Sequence, residues 1–100
     1  MKTFADAKFK INENISGICG TIDLNNGYEI SIIMGKISAG GDKGLWEIAV
    51  FPINSAYSIS MKCFDNRDFI GYLTFNELEE KIIEIQKEFK KRKKYANNFW

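Results

Sequence analysis

The side chains able to do chemistry are few in this 100-residue chain. It contains no histidine, which removes the most usual general base, the Ser-His and Cys-His nucleophile arrangements and the commonest zinc ligand. Cys19 and Cys63 are isolated in sequence and cannot supply the four ligands of a structural zinc site. They read more simply as buried reduced thiols than as a disulfide or a reactive pair. Asp65 and Asp68 have the chemistry of metal ligands, but in Asp65-Asn66-Arg67-Asp68 they sit as turn residues do. The stretch from Gly35 to Gly44 resembles a phosphate loop only superficially. Gly41 stands where the loop's lysine belongs, and no helix follows to offer its N-terminus to a phosphate. It reads as a flexible strand connection. The expectation is no catalytic residue, no metal site, no cofactor, and no enzyme.

Charge is the stronger signal. Residues 1–89 carry nine Lys/Arg against thirteen Asp/Glu, whereas Lys90, Lys91, Arg92, Lys93 and Lys94 are consecutive cations. Tyr95, Phe99 and Trp100 follow within a few positions, with no proline or glycine between. Three readings compete for this end: a solvated helix terminus, a protein contact through aromatics and cations, and phosphate contacts with base stacking. The acidic body argues against a dedicated nucleic-acid binder, whose positive charge usually spreads over a whole face.

The elements that position this end follow from periodicity. Ile18, Ile22 and Leu24 alternate with Cys19, Thr21 and Asp23 on a first strand; Tyr28, Ile30, Ile32 and Met34 share one face of the next. A three-residue loop over 25–27 pairs Leu24 with Tyr28 and Ile22 with Ile30. A two-residue loop would set apolar against polar residues, so the longer loop should win, with Gly27 left-handed. Further strands are expected at 45–51, at 57–64 with Tyr57, Ile59, Met61 and Cys63 inward, and at 69–73. Residues 7–11 alternate as an edge strand would.

From Thr74 the period changes. Thr74 and Glu77 fit a capping box, and Phe75, Leu78, Ile82, Ile85 and Phe89 form one apolar stripe. The predicted fold is α+β: one domain over 1–100, with an antiparallel sheet of four to five strands at about 7–73. One long amphipathic helix, at about 75–95, packs on one face of that sheet. The opposite face is polar except for Leu45, Phe51 and Ile33, which the N-terminal segment with Phe4 and Phe9 is expected to cover. A helix reaching Phe99 would be about 37 Å long over a sheet about 24 Å wide, so the basic end outruns its support.

The ordered set YEISIIMG, a glycine-rich gap, WEIAVF and GYLTFNELEEKI resembles small accessory proteins of phages and prophages, including those of the anti-CRISPR type. That resemblance covers about residues 28–85 and implies a non-enzymatic inhibitor or adaptor that binds a larger host complex, a CRISPR-Cas nuclease or surveillance complex, by steric occlusion. The basic aromatic end is no part of the resemblance. The alternative is a small nucleic-acid-binding accessory protein using the basic C-terminal helix. No run approaches the ~18 apolar residues of a membrane span and no secretion signal is evident. The expectation is therefore a cytoplasmic protein, in the host cytoplasm if phage-encoded, acting as a monomer or homodimer.

Overall fold

A computed structural model describes the backbone of residues 1–98 and the side chains through Arg92. Five strands, β1 (Lys8–Asn12), β2 (Gly17–Asp23), β3 (Tyr28–Gly35), β4 (Trp46–Pro52) and β5 (Phe69–Leu73), form one antiparallel sheet in the order β1-β2-β3-β4-β5. A single helix, α1 (Phe75–Asn98), follows. The domain is α+β, a sheet with one helix across one face.

The β2–β3 register is the one that alternation selects. Ile22 lies opposite Ile30 and Asp23 opposite Glu29, and the Leu24 N–H donates to the Tyr28 carbonyl at 3.0 Å. The loop of residues 25–27 needs left-handed backbone, supplied by Gly27 at φ 89° and Asn25 at φ 59°. With this register set, Ile22, Ile30, Ile32, Ile48 and Val50 point to one face and are fully buried there. Leu78, Ile82 and Ile85 of α1 close over them, also with no exposure. Burying a side chain of this size stabilises by roughly 1.5–3 kcal/mol, so this seam is the main source of the fold's stability.

Thr74 and Glu77 start the helix as a reciprocal pair. The Glu77 N–H donates to Thr74 Oγ1 at 3.2 Å, and the Thr74 N–H donates to Glu77 Oε1 at 2.9 Å. The Thr74 backbone N–H first, and then the Thr74 side chain, hold the Glu77 carboxyl below its usual range.

Two sequence expectations are corrected. Residues 57–64 do not form a strand: β5 pairs with the first part of β4, leaving only Val50 to bridge Ile59. Met61 and Phe64, three residues apart, are both fully buried, a spacing that suits a 3-10 turn, and Lys62–Phe64 adopts one. Tyr57, expected to face inward, is 82% exposed.

The N-terminal segment also packs on the opposite side from that expected. Phe4 stacks edge-on to Trp46 and Phe75, and Phe9 lies against Phe4 on the helix side of the sheet. The Phe9 ring occupies the place of a side chain on Gly20, where a Cβ would fall 2.5 Å from it. The other face is partly covered by the glycine-rich connection instead. There the Ala39 N–H donates to Glu47 Oε1 at 2.8 Å, the Ala39 carbonyl accepts from the Tyr72 N–H, and Gly40 lies against Leu45.

Candidate functional site

The basic end of α1 is built outward from the last core contacts. Ile85 is the last fully buried residue of the helix among those whose side chains are described. One turn on, half-buried Phe89 stacks on Tyr28 with ring centroids 4.8 Å apart. Leu24, Asn26, Gln86, Phe89 and Lys90 line a shallow groove between the β2–β3 loop and the helix. A 24-residue helix is about 36 Å long, within the 47 Å long dimension of the molecule. Beyond Phe89 its described side chains, Lys90 to Arg92, are exposed.

Glu88 joins this end to the body. Its carboxylate accepts from the Lys62 N–H at 3.1 Å and from the Cys63 N–H at 2.9 Å, closing the otherwise free end of the 3-10 turn. It also pairs with Arg92 one helical turn away. Burial opposes its negative charge, but the two backbone donors, the Cys63 thiol and Arg92 together hold its carboxyl below the ordinary range. The same contacts act in reverse on Cys63. Burial first, then the Glu88 charge and hydrogen bond, push its thiol up to about 12. Lys81, which donates to the Cys63 carbonyl and to Glu84, only partly offsets this. Such a thiol stays protonated near neutral pH and is a poor nucleophile.

The sequence-predicted site residues separate into groups. Arg92 folds back onto the body: besides Glu88 it lies over the Phe89 ring at 5.3 Å and reaches Met61 Sδ at 3.9 Å. Lys90 and Lys91 are exposed, and neither has an ion-pair partner among the described residues. Lys93, Lys94 and Tyr95 lie on α1, with their side chains outside the described set, and Phe99 and Trp100 fall outside the described residues altogether.

The remaining candidates have structural roles. Asp65 and Asn66 both take left-handed backbone in the turn before β5, and the Asp65 side chain is 90% exposed. Among the described residues no cluster of three or more His, Cys, Asp or Glu could hold a metal, and no helix is long and apolar enough to cross a membrane. Cys19 and Cys63 are both free. The connection from Gly35 to Gly44, expected to be flexible, is closed on itself: the Ser38 hydroxyl donates to the Gly35 carbonyl and accepts from the Gly35 N–H, each at 2.9 Å. Its polar groups serve the turn.

Sequence reasoning missed Glu88. The i,i+4 spacing of Glu88 and Arg92 was the available signal; the partners at Lys62 and Cys63 were not visible without the fold. No family model, curated protein or solved structure matches the chain.

Proposed function

We propose that this protein acts by binding and not by catalysis, as a small inhibitor or adaptor that docks the basic C-terminal end of α1 on a protein component of a larger host complex. The observation that carries the reading is the exposed basic turn that follows the last core contacts of α1. Ile85 is the last fully buried residue of α1 among those whose side chains are described, and the helix continues to Asn98 through two exposed lysines with no ion-pair partner among the described residues. Arg92 is engaged with Glu88, so Lys90 and Lys91 offer charge and the aromatic residues beyond offer apolar area. The resemblance to anti-CRISPR-type accessory proteins supplies the target class, a CRISPR nuclease or surveillance complex.

The test is inhibition of target cleavage by a guide-loaded CRISPR nuclease, with wild type compared to Phe99→Ala/Trp100→Ala and to a variant with glutamine at positions 90, 91, 93 and 94. Inhibition lost in the aromatic variant supports the proposal. No inhibition of any nuclease in a panel covering the major CRISPR types would remove the target class.

A further inference from the structure

The two edges of the sheet are treated differently. An edge strand presents unpaired N–H and C=O groups and templates further pairing unless something blunts it. The β5 edge is blunted. Its pairing with β4 is irregular between Trp46 and Ile48, Tyr72 is held left-handed at φ 58°, and the Tyr72 N–H is already taken by Ala39. The β1 edge has none of these devices. Lys8 to Asn12 pair residue for residue with Thr21 to Gly17, without a bulge, and no turn or loop hydrogen bond among the described residues covers the outer side.

The side chains on that edge alternate in chemistry. Lys8 and Lys10 lie on the face away from the helix, opposite Thr21 and Cys19. Both are exposed, and neither has an ion-pair partner among the described residues. Phe9 and Ile11 lie on the other face, 40% and 80% exposed, with Ile18 beside Ile11 at 38%. This is an apolar strip with one side open.

The two lysines decide what can be added. A second copy of β1 placed antiparallel about Lys10 would set Lys10 against Lys10, and one placed about Phe9 would set Lys8 against Lys10. Like charges directly opposite are destabilising, so the edge discriminates against itself. A strand with acidic residues on one face and apolar residues on the other meets both lysines with opposite charge and covers Phe9 and Ile11. We propose that β1 is a docking edge for an extended acidic-apolar segment of a partner protein, added to the sheet as a sixth strand. Main-chain hydrogen bonds supply the affinity, and the Lys8/Lys10 and Phe9/Ile11 faces supply the selection. This surface is separate from the end of α1 and stands whether or not that end binds.

The test uses two short peptides, one alternating glutamate with valine and one alternating lysine with valine, each titrated into the full-length protein while backbone amide resonances are followed. The glutamate peptide should shift the amides of Lys8 to Asn12 and leave β5 unchanged. The lysine peptide should bind about tenfold or more weakly, as two opposite-charge cross-strand pairs replaced by like-charge pairs imply. In K8E/K10E the preference should reverse. Equal response to both peptides, shifts centred on β5 or α1, no shift at all, or self-association of the free protein through residues 8–12 would each overturn the proposal. The wild-type comparison alone carries the test if the double variant folds poorly.

Discussion

Replacing Glu88 with alanine removes the carboxylate that binds α1 to two backbone N–H groups of the 3-10 turn. Glu88 is 10% exposed and accepts two backbone N–H groups as well as Arg92. The Lys62 donor is solvent-exposed and can turn to water, whereas the Cys63 donor is partly buried and loses a charged acceptor. An unsatisfied buried donor costs about 1–3 kcal/mol and a bond to a charged group contributes about 1.5–3 kcal/mol, so roughly 2–3 kcal/mol is expected for the substitution. For a domain of this size that corresponds to a fall in Tm of roughly 8–24 °C. The effect should depend on pH in one direction. The folded-state carboxyl lies below its reference value of 4.5, so its contribution is fully present above about that pH and is lost as pH falls through the folded value. Urea melts of wild type and Glu88→Ala at pH 7, 5 and 3 should therefore show a gap that is constant at the upper two values and smaller at pH 3. A gap below about 0.5 kcal/mol at pH 7, the range of ordinary surface substitutions, would show that Glu88 does not anchor the turn, and one undiminished at pH 3 would show that its charge is not what anchors it.

Thr74→Ala should lower stability by about 0.5–2 kcal/mol, the usual cost of an N-cap, and leave peptide or partner binding unchanged; an unaltered melting midpoint would contradict the cap. With its thiol pushed from 9.0 to about 12, native Cys63 in a Cys19→Ser background should react with Ellman's reagent at pH 8 about a hundredfold or more slower than in the unfolded chain. Equal rates in the two states would show that the thiol is accessible and ionised.

What was legible in the sequence is what local patterns determine. The β2–β3 register followed from alternation because a one-residue slip would turn Ile22 and Ile30 outward, and both are buried. The helix start followed from Thr74 and Glu77, which need only each other. Pairings between distant segments were not legible. Tyr57 to Phe64 alternates as a strand does, but β5 had already taken the β4 edge, and burial of Met61 and Phe64 three residues apart favoured a turn. The side on which Phe4 and Phe9 pack was set by Gly20 and Trp46, a tertiary fit that alternation does not encode. At the candidate site, the run of cations on the last turns of α1 was legible from the sequence. That Arg92 folds onto the body was not, because Glu88 depends on Lys62 and Cys63 to stay where it is.

The claim that the end of α1 recognises protein is tested most directly by a salt titration of binding. Wild type, the glutamine variant at positions 90, 91, 93 and 94, and Phe99→Ala/Trp100→Ala would each be measured against duplex DNA, single-stranded DNA and a guide-loaded CRISPR nuclease. Phosphate contacts would give a log–log slope approaching about −0.9 per contact on duplex DNA. Weak nucleic-acid binding is expected, with tighter binding to the nuclease that changes little with salt and is lost in the aromatic variant. Tight, salt-steep binding to DNA that survives the aromatic substitutions and disappears with the lysines would contradict it.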